Sequence, residues 1–448
     1  MKRTDKGFCG RIEVFGEVGL LHGQKSRLPF SQSAIGMRHT HLHQCERRFT
    51  SHALCVLLLL AIAKSAHAEI DVGQYARPNI PNDQTAAFQR AVDTAWGRGD
   101  PVVTIPPGRY CVSSIRLFYG IQLRGEGAVL YVPQNKSVPK FNVILTFHAH
   151  RDRDADRRRY QWSQPKGRDS PMTLIEGVTL IGDRLQWIGE HENHQREHSH
   201  GIAAIAAGGG RLRITIREVV CHQFTGNGLY GQSAEMTIEN VKAHHCFRGA
   251  LSVTHNTVTR VTDLVSYGPN GGIDLESESG PIVFRAERLR LENDFDAAFQ
   301  PGSQATFFDV ICKGPPFNLV NRASRVRISD GEFVVAGGLA EPDIRLRNRD
   351  GTTLITSCKF TGPRLVIDER GATGHKVHFI GCTLNGEQLA KEHIARINYK
   401  QPDDNLIVLQ AVVPEGAGEE ENEAGGAGDV AEPPDTEPDA EGEDGPQG

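Results

Sequence analysis

The chain of 448 residues lacks several features that would place it quickly. It has no apolar run near the ~20 residues that a membrane-spanning helix needs; the longest, Ala53–Ala63 (ALCVLLLLAIA), is about half that. Nine cysteines occur without a Cys-x-x-Cys pair or a zinc-ligand spacing, which excludes a zinc finger and a thioredoxin-like redox motif. Helical periodicity is almost missing, with one convincing stretch in the whole chain. A basic surplus is missing too: 50 lysines and arginines face 55 acidic residues, for a net charge of −5. Ten of those cations and four of the acids lie in residues 1–68, and 13 more acids lie from Glu415 onward, so the body keeps 40 basic and 38 acidic residues. No polyanion footprint survives, and nucleic acid is not an expected partner.

What is there begins at the two ends. Arg47-Arg48, the Ala53–Ala63 run and Ala66-His67-Ala68 have the order of a basic n-region, an h-region and an A-x-A cleavage site. We expect a signal peptide over residues 37–68, starting at Met37, with residues 1–36 as a start-site extension. The mature chain is then secreted or periplasmic, without stable membrane insertion. No lipobox cysteine stands at the cleavage site. Residues 414–448 are acidic, Gly- and Pro-rich and free of Lys and Arg, so they are expected to be a disordered tail that cannot bury enough apolar surface to fold. Six cysteines remain in the body, widely separated. They read as small buried apolar residues, and no particular bridge is predicted.

Residues 69–413 read as one repeating domain. One strand type recurs as GVTLIG, RLRITIREV, EMTIENV, TVTRVTDL, FRAERLRLEN, TFFDVI, SRVRISDGEF, TLITSCKF and KVHFIGC. A second recurs as GIAAI, GLYG, ALSV, GIDLE, AAFQ, FNLV, DIRL and RLVI, beginning at Gly201, Gly228, Ala250, Gly272, Ala297, Phe317, Asp343 and Arg364. Strands this short bury a core when each stacks on its counterpart one coil later. The pattern therefore predicts an all-β fold, a single-stranded right-handed parallel β-helix. A propeller would need a longer repeat of about 40 residues or more. Asn82–Ala95 (NDQTAAFQRAVDTA) predicts an N-terminal capping helix, with Asn82 or Asp83 as its cap and Phe88, Ala91, Val92 and Ala95 on its apolar face. The segment from Ile394 to Val412 is expected to cover the open C-terminal edge.

This beginning, NDQTAAFQRAV followed by VVTIPPGRY, resembles that of the pectate-lyase-like (pectin-lyase-fold) superfamily, the rhamnogalacturonase and epimerase-type group. There a D-D-T-A-A-I-Q helix caps the β-helix and leads to V-x-I-P-P-G-x-Y. Asn82-Asp83-Gln84 replaces the usual acidic run. The resemblance covers about 60 residues. Two insertions interrupt the repeat, between Lys140 and Met172 and between Gly182 and His200. Long excursions of a solenoid fall on its faces and often build a binding wall, and Tyr160, Trp162 and Trp187 in them are candidate platforms for sugar rings. Packing of these loops onto the solenoid explains the same residues equally well.

The strand row around Gly271–Glu276 (GGIDLE) concentrates the chemistry. Alternation points Ile273 and Leu275 inward and leaves Asp274 and Glu276 outward, roughly 7 Å apart along the strand. Stacking the second strand type coil on coil lines up His198 and His200, then Asn227, Arg248, Asp274 with Glu276, and Asp294 with Asp296. CFRGALSV and NTVTRVTDLVSYGPNGGIDLE resemble a bacterial parallel β-helix family with the patterns R-x-G-I-S-V and G-x-x-P-x-x-G-I-D-I-E-P. The resemblance reaches Arg248, Gly249, Gly272, Asp274 and Glu276, with Ala250 after the Arg-Gly pair and Ser277 where proline is usual. It implies a polysaccharide target. Asn270–Asp274 also echoes the N-T-D-G-I-D of polygalacturonases, but their Asp-Asp pair and R-I-K triplet are not found.

Two reactions suit the row. Glycosidic hydrolysis needs two carboxyl groups about 5–5.5 Å apart (retaining) or 6.5–9.5 Å apart (inverting), which Asp274, Glu276 and Asp296 can supply. Elimination or epimerisation of a uronate needs a base and a cation for the enolate, for which His200 or His255 and Arg248 are candidates; carboxylates holding calcium would then be the cofactor site. Asn227 and His255 are candidate substrate contacts. A non-catalytic carbohydrate-binding or scaffold role is the alternative, with Asp274 and Glu276 as a solvated face or as ion-pair partners of Arg248 that lock the coils. The histidines at 191, 194, 198 and 200 match no metal-site template and read as a histidine-rich loop. His244-His245 is expected on a turn, and Asn256 inward at a coil bend.

Overall fold

The computed structural model describes residues 69–99, 102–132, 145–148, 172–184, 199–205, 212–268, 272–277, 280–322, 324–338, 342–347, 351–371, 374–399 and 406–411; for residues 145–148 it describes the backbone alone. The expected signal segment, the acidic tail and the insertions carrying Tyr160, Trp162, Trp187, His191, His194 and His198 lie outside them. Nearly all the rest is parallel strand, wound as a right-handed β-helix, the hand that parallel crossovers take.

One sheet contains eleven short strands, one per coil, ending with Ile394–Ile397. Its core and outward registers are strict. Leu229, Leu251, Ile273, Phe295 and Phe317 stack on the inside, while Tyr230, Ser252, Asp274, Asp296 and Asn318 stack in a neighbouring outward column. The longer strands form two further faces and bend between them at a residue in the left-handed region. Glu218, Asn240, Asp263, Arg288, Asp309, Asp330 and Ser357 occupy that corner on successive coils, with φ from 50° to 59°. Asn and Asp tolerate this conformation better than most residues, which explains why the corner is rich in them.

The core changes composition along the axis. Ile214, Ile216, Met236 and Ile238 fill the earlier coils, and a phenylalanine column fills the later ones. Phe295, Phe317, Phe333 and Phe360 follow one another with ring centroids 4.6–5.7 Å apart. Cys111, Cys221, Cys246, Cys312, Cys358 and Cys382 are all buried free thiols, as expected of small apolar residues in this core.

Helix α1 spans Thr85–Arg98, three residues later at each end than its apolar pattern suggested. Gln84 holds the N-cap position without a side-chain cap bond; Asp83 instead accepts from the Thr85 N–H at 2.9 Å. Gly99 closes the helix at φ 73°. Phe88, Ala91, Val92 and Ala95 are buried in the common core, so α1 covers the N-terminal end as the sequence predicts. At the other end the expectation needs correction. Ile394–Ile397 and Ile407–Gln410 are not a cover over the last coil; they pair in parallel register and extend the solenoid. Asn256 is also corrected. It stands exposed at a corner with φ 49°. The inward asparagine at a bend is Asn321, fully buried, which bonds Ser324 and Thr353.

Candidate functional site

The eleven-stranded sheet presents the candidate site on its outer face. Strand Ile273–Glu276 has the alternating burial of a half-buried strand, with Ile273 and Leu275 inside and Asp274 and Glu276 half-buried outside. Its close seating depends on Gly272. A Cβ there would lie 1.7 Å from the Asp294 carbonyl oxygen of the next coil, so no larger residue fits without moving backbone. Gly272 in turn accepts from the Ala250 N–H at 2.7 Å, which ties three coils together just before the acidic residues.

Asp274 and Asp296 are direct register partners on adjacent coils. Their strands stack about 4.8 Å apart, and Glu276 follows Asp274 by roughly 7 Å along its strand. Arg248 Nη2 lies 4.0 Å from Asp274 Oδ2, with the two side chains 33% and 18% exposed. Asp296 receives the Asn318 amide N–H at 2.9 Å. Its tip reaches water, yet desolvation of the side chain raises its pKa above the ordinary carboxylate value; the Asn318 amide and the Arg345 guanidinium pull partly the other way. Asp294, half-buried just before the strand, is raised by burial and then by Asp296. Burial, more than the charge of neighbouring carboxylates, thus favours the protonated form at Asp294 and Asp296.

His200, Asn227 and Arg248 do not join the acidic column itself. They stand where their strands begin. His200 is 5% exposed, and its Nδ1 accepts from the Asn227 N–H at 3.0 Å, which leaves Nε2 as the nitrogen able to carry a proton in the neutral ring. Asn227 is buried, and its side-chain oxygen has no hydrogen-bond partner among the described residues. The predicted stacking is therefore corrected. Asn227 pairs with Gly249 inside the wall, and the column that continues Asp274 toward the N-terminus runs through Ser252 and Tyr230. His255 occupies a corner beyond the strand, at φ 44°, where its carbonyl accepts from the Ser233 N–H.

Tyr230 is the site residue that the motif search passed over. Its ring stacks on His200 with centroids 4.8 Å apart and planes 10° from parallel. Its hydroxyl lies 3.2 Å from the Thr254 hydroxyl. Burial raises the phenol pKa, and the charges of Glu276, Asp274 and Arg248 also act on it, which places Tyr230 in the same electrostatic environment as the carboxylates. Aligning GLYG with ALSV and GIDLE by their first residues, Gly228, Ala250 and Gly272, reveals it: Tyr230 precedes Asp274 by two coils in one column.

A second cluster lies on a long-strand face. His222, His244 and Tyr267 stack face to face at 4.9 and 4.3 Å, with His245 edge-on to the last two rings. His244 ends its strand and His245 turns away at φ 54°, so only His245 is on the expected turn. Burial, followed by the neighbouring histidines and Lys242, lowers His244 to about 4. Among the described residues no group of three or more His, Cys, Asp or Glu is disposed to hold a metal ion.

No protein-family model and no curated protein matches the chain. Solved structures to which it is similar include the A-module of the mannuronan C-5 epimerase AlgE4 of Azotobacter vinelandii, at 16% identity and a TM-score of 0.44, covering 76% of this chain and 94% of that one. A family 28 exopolygalacturonase of Yersinia enterocolitica is 11% identical with a TM-score of 0.43, covering 76% and 77%. PfbA, a surface adhesin of Streptococcus pneumoniae, is 14% identical with a TM-score of 0.38, covering 72% and 92%.

Proposed function

We propose that this protein is an exported polysaccharide-active enzyme that cleaves glycosidic bonds on the outer face of its eleven-stranded sheet. The register pairing of Asp274 with Asp296, beside Glu276, carries this reading. Asp296, with its raised pKa, is the proton donor to the leaving oxygen. Asp274, with Arg248 as counter-charge, is the ionised partner. Adjacent rungs bring two carboxyl groups near the retaining separation, whereas Glu276 stands roughly 8 Å diagonally from Asp296, within the inverting range. The anomer released on hydrolysis decides which of the two acts.

Elimination or epimerisation is the second reading, favoured by Arg248 beside the acidic column. It asks for a base either from His200, which is buried with Nδ1 already engaged, or from His255, which stands at a corner beyond the strand; neither belongs to the acidic column, which supports hydrolysis over it. The Arg47-Arg48 and Ala53–Ala63 pattern supports export, and no helix among the described residues is long and apolar enough to cross a membrane.

Product analysis on acidic and neutral polysaccharides tests the proposal. New reducing ends without ultraviolet absorbance support hydrolysis, and unsaturated ends would assign elimination. Glycan binding with neither product, unchanged in an Asp274→Ala/Glu276→Ala variant, would sink both enzymatic readings and leave a binding or scaffold role.

A further inference from the structure

Beyond the acidic column, the same sheet face turns basic. Strand Phe317–Arg322 ends on Arg322, whose register partner one coil later is Arg347, in strand Ile344–Arg347. Arg370 lies just beyond the next strand, two residues past Asp368, the register partner of Arg345, and its charge acts on Arg347. Arg345 itself stands opposite Val320, the coil after Ala298. The rung of Arg345 is thus two rungs, roughly 10 Å, beyond that of Asp296. Its guanidinium reaches far enough back to act on the Asp296 carboxyl.

These arginines have little to hold them there. None of the four makes an ion pair among the described residues, and the Nε atoms of Arg345 and Arg347 are shielded from water without a hydrogen-bond partner. Asp368, whose charge acts on Arg347, is 4% exposed and already accepts from the Arg370 backbone N–H and the Asn398 amide. Burial lowers the Arg347 pKa, and Arg322, Arg345 and Arg370 add repulsion that Asp368 only partly offsets. Asn318, between Asp296 and this group, has a buried side-chain oxygen that is likewise unpartnered. Stacked, partly desolvated guanidinium groups repel one another unless an anion lies across them.

We infer that Arg322, Arg345, Arg347 and Arg370 form a subsite for the oxyanions of an acidic polysaccharide, whose chain follows this column and then crosses the strands obliquely, by way of Arg345, to Asp296 and Asp274. The inference rests on the proposed function and names its substrate class. Guanidinium forks match carboxylate and sulfate geometry, and one rung of the solenoid advances by about the length of one sugar residue, so a polymer charged at each residue meets the column in step.

The test uses full-length Asp296→Asn protein, so that binding is measured without turnover, with polygalacturonate and alginate as carboxylate probes, dextran sulfate as the sulfate probe, dextran as the neutral probe and a single-stranded oligonucleotide as a non-glycan polyanion. The acidic glycans should bind more tightly than dextran and the oligonucleotide, and high salt should weaken them. Which of carboxylate and sulfate binds better identifies the oxyanion. Adding Arg347→Ala or Arg322→Ala should weaken acidic-glycan binding about tenfold or more, the loss expected for one charge-assisted hydrogen-bonded contact. Arg260→Ala, on a long-strand face, should change it less than twofold. Should Arg347→Ala fail to fold, the exposed Arg370→Ala asks the same question. Dextran or oligonucleotide binding as tight as that of the acidic glycans overturns the inference, as does acidic-glycan affinity indifferent to every arginine substitution or equally sensitive to Arg260→Ala. Cleavage by the unsubstituted protein with arginine-independent binding overturns the inference alone; arginine-dependent binding without cleavage overturns the catalytic reading alone.

Discussion

The long-strand faces and the eleven-stranded face solve the same problem, how to place charge on a stack of identical rungs, in opposite ways. On the long-strand faces charge is matched from coil to coil. Glu176 is shared by Arg124 and Arg217, Glu235 lies between Arg213 and Arg260, Asp263 binds Arg288, and Asp309 binds Arg290. Arg260 and Arg285 are neighbours there too, but both are exposed, where water and salt screen them. On the eleven-stranded face two stacks set like on like, Asp274 on Asp296 and Arg322 on Arg347, although Arg248 lies beside Asp274 and Arg345 stands in register with Asp368. A solenoid gains nothing structural from such stacks. The difference separates scaffold from site more sharply than any single motif does.

The largest expected effect tests whether the acidic stack performs chemistry. Asp296→Asn should lower the rate of bond cleavage by about 10²- to 10⁴-fold, the usual contribution of a general acid, and should leave the melting temperature nearly unchanged because the side chain reaches water. As the proposed proton donor, Asp296 would act in its protonated form, so activity should fall as pH rises through its raised pKa. Arg345 holds that pKa down, so Arg345→Gln should move the alkaline limb of the rate profile to higher pH. A full-rate Asp296→Asn enzyme would remove the stack from the mechanism.

Gly272→Ala attacks the same face through the backbone. The added methyl meets the Asp294 carbonyl, so adjacent coils must separate where Asp274 and Asp296 face each other. We expect a loss of roughly 3 kcal/mol or more in denaturant unfolding, of the kind that overpacking against backbone produces, with activity falling even where the protein is folded. A variant with native stability would mean that the coils are not seated as closely as described.

Perturbed groups inside the scaffold sharpen the comparison differently, because their shifts act on stability alone. Asp343 is fully buried, and burial raises it to about 6 although the Ala336 and Val366 N–H groups donate to it. Its protonated form is favoured in the fold, so its contribution is full below the unfolded value near 4 and is lost as pH rises through about 6. His375, 1% exposed, is lowered by burial to about 4. Its contribution is full above about 6.5 and is lost as pH falls through about 4. Each is worth roughly 3 kcal/mol at most. Between pH 4 and 6 the two oppose each other. Urea titrations should show stability rising over that range in Asp343→Asn and falling in His375→Gln; equal slopes in both variants would refute the assignment.

How far the sequence revealed this division follows from coil length. Tyr230, Ser252, Asp274, Asp296 and Asn318 are each 22 residues apart, so the outward carboxylates could be stacked by counting. Tyr230 drops out when the row is traced through His200, Asn227 and Arg248, which precede the motif starts Gly201, Gly228 and Ala250, instead of through the third residue of each motif. After Asn318 the period breaks, with 25 residues from Arg322 to Arg347 and 23 from Arg347 to Arg370. The arginine column therefore does not read as a column in one dimension. The fold itself was legible because two short strand types recur coil after coil along the chain. The start of α1 was not, because Gln84 turns its side chain to the Arg77 N–H instead of capping the helix. The terminal strands were not either, because nothing in Ile394–Ile397 distinguishes a last rung from a cover.

The smallest expected effect lies on the long-strand faces, and it decides whether they are scaffold only. Arg290 and Asp309 pair at 2.6 Å with about a third of each side chain exposed. Asp309 also occupies a corner at φ 52°. Asp309→Asn keeps a residue that tolerates the left-handed conformation and removes only the charge, so it should cost no more than about 1 kcal/mol, and less at high salt. Asp309→Ala removes the charge and also places a poorer residue at the corner, which should add about 1 kcal/mol. The gap between the two variants measures the corner, and the first alone measures the ion pair. Neither should alter glycan affinity or cleavage. A loss of activity in Asp309→Asn at unchanged stability would show that paired charge on these faces also serves function, and the division between matched and stacked charge would fail.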